Sequence, residues 1–295
     1  MEVRIFRFPK SGGRNSDMTD NDMETKVETI GFVGGGNMAE SLIKGIIAAG
    51  LCEPQNILVS DIRAERLDLL GAEYGVSAVR SNAAVAERAR IVVLSVKPQK
   101  MTDVLEDIKD SVSEETLIIS IAAGIRVAKI AGVLGDVPIV RVMPNTPALI
   151  GEGASALFAN EKAAPMVSKV LSIFSSVGRA VLVEAEELID AVTAVSGSGP
   201  AYYFLLMEEM IRAAIKLGLS ETVAKDLVLQ TAKGAGLLAC EADQKNESPA
   251  ELRRKVTSPG GTTEAALRVL AAGDFGRLMT DAITAARNRS NELSG

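Results

Sequence analysis

Two glycine-rich stretches hold the residues whose types and spacing could do chemistry. In TSPGGTTEAALRVL, residues 257–270, a proline, two glycines and several hydroxyls stand directly before an apolar, helix-forming run. Backbone N–H groups of such a turn at a helix N-terminus form an anion site without any charged side chain. The same turn also reads as a simple cap, with Thr262 or Thr263 as N-cap. In GFVGGGNMAE, residues 31–40, the pattern G-x-G-x-x-A falls on Gly34, Gly36 and Ala39. Directly after a strand and opening a helix, it fits a dinucleotide. The first glycine makes the turn, the second admits a pyrophosphate, and the small third residue packs helix on strand. Asp61 closes the second strand, where a carboxylate can accept from both adenosine ribose hydroxyls and favour NAD. Arg63 could instead meet a 2′-phosphate; otherwise the pair is a helix N-terminal acid and a solvated cation.

The elements that must position these residues alternate in the first half. ETIGFV, NILVS, IVVLSV, LIISIAAG and PIVRVM read as short β-branched strands. Between them lie helical stretches such as NMAESLIKGIIAAG, RAERLDLLGAEYG, KMTDVLEDIKDSV and a short run near 126–134. This predicts βαβ units and a parallel sheet. ASALF and AVLVE add two strands around the helix AAPMVSKVLSIFSSVG. From Glu187 onward everything reads as helix. The stretch 200–217 carries its charges, Glu208, Glu209, Arg212 and Lys216, in one narrow stripe. A helix apolar on most sides must be covered on most sides, so a partner chain is expected to complete this half.

With 295 residues the chain exceeds one ordinary domain, and roughly two are expected. Its net charge of −6, with aromatics at 3% and no Trp, leaves neither a basic field nor stacking platforms for nucleic acid. Cys52 and Cys240 lie far apart, which fits small hydrophobes in a reducing compartment and no disulfide framework. The absence of His removes His-based triads and most zinc centres, and no metal is expected. Residues 1–26 are polar and aperiodic, without a long apolar core, and read as a disordered extension rather than a signal peptide; Met18 and Met23 offer later starts. No apolar run suffices for a membrane span, so a cytoplasmic protein is expected.

Further stretches complete a pattern: SVKP (95–98), SIAAG (120–124), RVMPNTP (141–147) and LIDAVTAVSGSGPAY (188–202), together with the SPGGTT turn. Over about residues 28–292 the chain resembles pyrroline-5-carboxylate reductase, the last enzyme of proline biosynthesis. The SGSGPAY and SPGGTT segments are far more specific than the glycine loop. The resemblance implies a Rossmann-type α/β N-terminal domain, here 27–187, and an all-α C-terminal dimerisation domain, 188–295, in a 6-phosphogluconate dehydrogenase-like arrangement. It implies a homodimer or higher oligomer, a cyclic imine substrate, and NADP(H), with NAD(H) also accepted. Cofactor contacts carry over to Val33, Gly34, Gly35, Gly36, Asn37 and Met38, to Asn82, to Ser95, Val96, Lys97 and Pro98, and to Ile121, Ala122 and Ala123. Substrate contacts carry over to Ser258, Pro259, Gly260, Gly261, Thr262 and Thr263, with Glu186 a weaker match. In the family, the serine and the two glycine amides hold the substrate carboxylate, and Thr263 would hydrogen-bond the ring nitrogen as the catalytic residue. Hydride reduction of a C=N bond needs no strong acid if that nitrogen arrives protonated or receives a hydrogen bond, so positioning does most of the work.

Plainer readings stand beside these. Lys97–Pro98 can simply end a strand, Pro144 and Pro147 can simply stiffen a loop, and SGSGPAY can be a helix start with Pro near N1. The family often carries a His in the segment where NESPAEL has Ser248, which leaves Glu247 as the remaining candidate contact there. A β-hydroxyacid dehydrogenase shares the domain plan but uses a Lys as acid at the domain junction, and residues 188–207 contain no Lys or Arg. A non-catalytic dinucleotide sensor would not need a carboxylate-sized nest.

Overall fold

The computed structural model describes residues 27–294. The expected disordered extension, 1–26, lies outside the described residues. Two compact units emerge: residues up to Ser198 together with Ala286–Gly295, and Gly199–Ala285.

The first unit is built on one eight-stranded sheet of order β3-β2-β1-β4-β5-β6-β7-β8. Its strands are β1 (Ile30–Val33), β2 (Ile57–Ser60), β3 (Ser77–Ala78), β4 (Ile91–Leu94), β5 (Leu117–Ser120), β6 (Ile139–Met143), β7 (Gly153–Ala159) and β8 (Gly178–Leu182). All neighbouring pairs are parallel except β6 with β7. Strands β1, β2, β4 and β5 are buried along their whole length, as β-branched strands covered on both faces must be. Phe32 points into one hydrophobic cluster and its neighbour Val33 into another, so the sheet separates two cores. Full burial of each such side chain is worth about 1.5–3 kcal/mol.

Helix α1 (Asn37–Ala48) covers the first face, burying Leu42, Ile43 and Ile46. It is followed by α2 (Ala64–Tyr74), which ends at Gly75 in the left-handed conformation, φ 70. Helix α3 (Asn82–Arg88) and β3 were not expected from the periodicity. Helices α4 (Met101–Ile108) and α5 (Val127–Leu134) cover the second face, and α6 (Val167–Ser175) returns to the first.

By contacts the first unit runs on to Ser198, past the end of the strands. The reason is packing: α7 (Leu188–Val192) lies against β6 and β7 and buries Ile189 and Asp190. A five-residue π turn, Thr193–Gly197, follows it.

The second unit is helical throughout: α8 (Gly199–Lys216), α9 (Glu221–Asp243), α10 (Pro249–Lys255), α11 (Thr262–Ala272) and the larger part of α12 (Phe275–Leu293). Helices α8 and α9 pack together. Tyr203, Phe204, Leu205 and Leu206 on α8 remain exposed, as does Leu227 on α9. Among the described residues, no helix is long and apolar enough to cross a membrane.

Candidate active site

In the first unit, Val33 pairs with Ser60 and with Leu94, and Leu94 pairs with Ser120. The parallel strands therefore end at one edge. The segments expected to hold a cofactor, Gly34–Met38, Asp61, Ser95–Pro98 and Ile121–Ala123, all follow these ends. The strand order reverses direction at β1–β4, the place where doubly wound sheets open a crevice.

The glycine loop separates steric demand from ligand demand. Gly34 has φ +97, and a Cβ there would come within 2.8 Å of the Ser95 carbonyl oxygen, so the chain itself requires glycine. Gly36 differs. A Cβ on it would meet no protein atom within 4 Å. It is also the N-cap of α1, with no side chain capping the first-turn N–H groups of Asn37 and its neighbours. Open space beside uncapped amides at a helix N-terminus fits a bound pyrophosphate. Ser95 steadies the loop by donating its hydroxyl to the carbonyls of Val33, at 3.2 Å, and of Gly34. Lys97 is exposed and has no ion-pair partner among the described residues. Ile121 N–H bonds to the Leu94 carbonyl at 3.2 Å, and Ala122 is buried while Ala123 is exposed.

Asp61 has a role the sequence did not suggest. Its Oδ2 accepts the Gly35 N–H at 2.8 Å, bracing the loop from the neighbouring strand. Arg63 folds back on it: the backbone N–H and Nε both donate to Oδ1 at 3.0 Å. Burial pushes the Asp61 carboxyl up, but the bonds from Arg63 and Gly35 outweigh it and hold the group below its ordinary value. Arg66 adds a second brace, donating to the Gly35 carbonyl and to Glu40, whose carboxyl it thereby lowers. Asn82 opens α3 beside this edge. It accepts from Ser60 Oγ at 2.7 Å and donates to Asp107 at 2.9 Å.

Glu186 sits in a buried charge cluster. Its Oε1 accepts from the Val127 N–H at 2.8 Å and from Arg141 Nη1 at 3.0 Å. Arg141 is 1% exposed in the middle of β6, and its Nη2 stands 3.9 Å from Asp190. Asp190 in turn receives Ser290 Oγ at 2.7 Å and Ser294 Oγ at 3.3 Å from the end of α12. The cluster thus ties β6, α5, α7 and α12 together, work the sequence reading had not assigned to Glu186. Its signal was an arginine inside the buried run IVRVM, which must have carboxylate partners. Asn145 was likewise missed. Its Nδ2 donates to the Ser196 carbonyl of the π turn at 3.1 Å, and its Oδ1 accepts the Ala154 N–H at 2.8 Å. Such turns recur at functional sites.

In the second unit, Ser258–Gly261 forms a tight turn in which the Gly261 N–H reaches the Ser258 carbonyl at 3.0 Å. Pro259 sets its second position, and Gly260, φ +70, takes the third, which only glycine fills without strain. Gly261 is the N-cap of α11, so neither Thr262 nor Thr263 is; Thr262 and Thr263 stand in its first turn, which no side chain caps. A Cβ on Gly261 would meet Ser258 Oγ at 2.4 Å, so that hydroxyl lies against the glycine. The sequence reading offered both glycine amides to an anion. In the structure both are occupied, Gly261 within the turn and Gly260 by Glu264 Oε2 at 2.5 Å. Ser248 caps α10 in a reciprocal box with Glu251, which accounts for serine there without any ligand. Glu247 pairs with Lys255 at 2.5 Å.

Comparisons with known proteins bear on both units. Residues 186–293 match the family model "Pyrroline-5-carboxylate reductase dimerisation", and residues 29–124 match "NADP oxidoreductase coenzyme F420-dependent". The chain is 48% identical to the pyrroline-5-carboxylate reductase of Pseudomonas aeruginosa, over 90% of this chain and 96% of that one. It is 40% identical to that of Synechocystis, over 90% and 97%. A solved pyrroline-5-carboxylate reductase from Coxiella burnetii superposes with a TM-score of 0.87 at 42% identity, covering 92% of this chain and 100% of that one. The Plasmodium falciparum enzyme, solved with NADP bound, gives 0.79 at 32% identity, over 92% and 99%. The chain belongs to the pyrroline-5-carboxylate reductase family.

Proposed function

We propose that the chain reduces 1-pyrroline-5-carboxylate to L-proline, with NADPH or NADH as the reductant and the two glycine-rich helix starts as its ligand sites. NAD(P)H, when bound, would supply the hydride that adds to the carbon of the protonated imine, C=NH⁺, and gives CH–NH. The chain's own residues do the rest. The uncapped first turn of α1 holds the pyrophosphate, with Gly36 leaving room for it. Ser95–Pro98, Ile121–Ala123 and Asn82 line the crevice edge, and Lys97 contributes a free cation. Asp61 and Arg63 face the adenosine end. The Arg63 guanidinium, already folded onto Asp61, offsets the repulsion a 2′-phosphate would meet from that carboxylate. NADP is the ligand bound to the Plasmodium relative, which supports its use here.

In the second unit, Ser258 Oγ and the amides at the start of α11 hold the substrate carboxylate, and Thr263 hydrogen-bonds the ring nitrogen. The observation that carries this reading is the second uncapped helix start, α11, preceded by a type-restricted Pro–Gly turn that no packing demand explains. A Cβ on Gly260 would meet no protein atom within 4 Å. The protein acts as a homo-oligomer in the cytoplasm. The match of residues 186–293 to a dimerisation family and the exposed apolar residues of α8 support that assembly. Oxidation of NADPH and NADH, followed with pyrroline-5-carboxylate as acceptor, tests the function: saturable turnover is expected. Tight cofactor binding with no turnover of any cyclic imine would point instead to a dinucleotide sensor.

A further inference from the structure

Glu264 lies in the first turn of α11 and has no part in the chemistry above, yet it touches the turn assigned to the substrate. Its Oε2 accepts the Gly260 N–H at 2.5 Å. A glutamate at this third helical position ordinarily reaches the N-cap amide, here that of Gly261. That amide is already spent inside the turn, on the Ser258 carbonyl. Glu264 therefore reaches one residue further. Its other oxygen stands 3.6 Å from Arg268, one helical turn along, and its side chain is 42% exposed. The carboxylate thus has two partners within reach, a backbone amide ahead of the helix for one oxygen and a guanidinium along it for the other.

We propose that Glu264 is a resident stand-in for the substrate carboxylate: it occupies the Gly260 amide until a substrate carboxylate displaces it toward Arg268, and so sets the affinity for carboxylate-bearing imines. This rests on the reading that residues 258–263 bind that carboxylate. The two groups are chemically alike, and one N–H donates a single charge-assisted bond, so they compete for it. A competitor that fills the donor for most of the time lowers apparent affinity by the fraction of time the donor is free. The exchange also discriminates. An imine without a carboxylate has nothing to offer Gly260 and cannot release Glu264, so it gains nothing from the turn.

Steady-state kinetics with pyrroline-5-carboxylate on Glu264→Asp, Glu264→Ala and Arg268→Gln, together with melting temperatures, test this. Aspartate keeps the charge but is too short to reach Gly260; alanine removes both. Competition predicts that KM falls about three- to tenfold in both Glu264 variants, the change falling on KM rather than kcat. It predicts that KM rises in Arg268→Gln, where the displaced carboxylate loses its second partner. A fall in KM for alanine alone would mean simple charge repulsion and would overturn the proposal. A lowered melting temperature with KM unchanged in both would reduce Glu264 to a helix cap, and would overturn it too. Wild-type protein that turns over no pyrroline-5-carboxylate would instead remove the reading underneath, and the proposal with it.

Discussion

Asp61 and Glu264 each accept the N–H of the glycine one place ahead of a helix N-cap, Gly35 at 2.8 Å and Gly260 at 2.5 Å. The two arrangements otherwise differ at every point. Asp61 comes from the end of the neighbouring strand, its side chain is 8% exposed, and Arg63 and Arg66 secure it and the loop. Glu264 comes from the helix it serves, is 42% exposed, and has a second partner four residues along. A carboxylate fixed from a distance, out of water and already neutralised, is a brace. A local, exposed one with somewhere else to go is a placeholder. The first unit accordingly holds a loop whose shape is set before any ligand arrives, while the second holds a turn whose donors are shared out among its own residues until one arrives.

That contrast makes the first unit sensitive in stability and the second in kinetics, and substitutions can break it on either side. The largest effect is expected from Arg141→Met, which strands the carboxylate of Glu186 without its cation and leaves the buried Asp190 with Arg126 alone, at 3.7 Å. A loss of about 3–5 kcal/mol in urea unfolding is expected. A loss below about 1 kcal/mol would show that the first unit is not held from within. On the other side, Thr263→Val and Thr263→Ala should cut turnover roughly tenfold to a thousandfold while melting within about 2 to 4 °C of wild type. Wild-type turnover in both would remove Thr263 from the ring nitrogen.

Smaller effects sharpen the view of Asp61. Asp61→Ser should improve NADPH use relative to NADH, and Arg63→Ala should weaken NADPH more than NADH, each by no more than about thirtyfold, or 2 kcal/mol, in kcat/KM. Unchanged values for both cofactors in Asp61→Ser would leave Asp61 as a brace alone. The smallest effect is one of pH. Because the folded carboxyl lies below its ordinary value, its contribution is complete above an unfolded pKa of about 4 and is lost as pH falls through the folded value. The melting-temperature gap between wild type and Asp61→Asn should therefore stay constant from pH 6 to 8 and close on acidification below about pH 4. A gap that persisted there would mean the charge is not what braces Gly35.

Much of the first unit is legible in the chain itself. Short apolar runs rich in β-branched residues, such as IGFV and LIIS, fit strands buried on both faces, and the structure has them so. The helix Asn82–Arg88 escaped because NAAVAER is too short and too polar to show a period; only Ser81, which accepts the Ala84 N–H at 3.2 Å, marks its start. Ser248 was legible and passed over: S-P-A-E is a capping box with proline at the first helical position, and the structure forms it. What no local pattern could supply is the long-range pairing. Asp61 with Gly35, Asn145 with Ser196 and Glu186 with Val127 join residues far apart in the chain. Each depends on the whole sheet having brought two loops to the same place.

The path of α12 has a consequence for how the chain is made. Asp190 is synthesised early, yet its hydroxyl partners, Ser290 and Ser294, are a hundred residues downstream. A ribosome delivers the sheet first, then the whole helical unit, and only afterwards the residues that close the charge cluster. Until then the carboxylate has Arg126 and Arg141 nearby but lacks both hydroxyl donors. Vectorial synthesis thus leaves the first unit waiting on the second, so the helical unit is a clause enclosed within the sentence of the other.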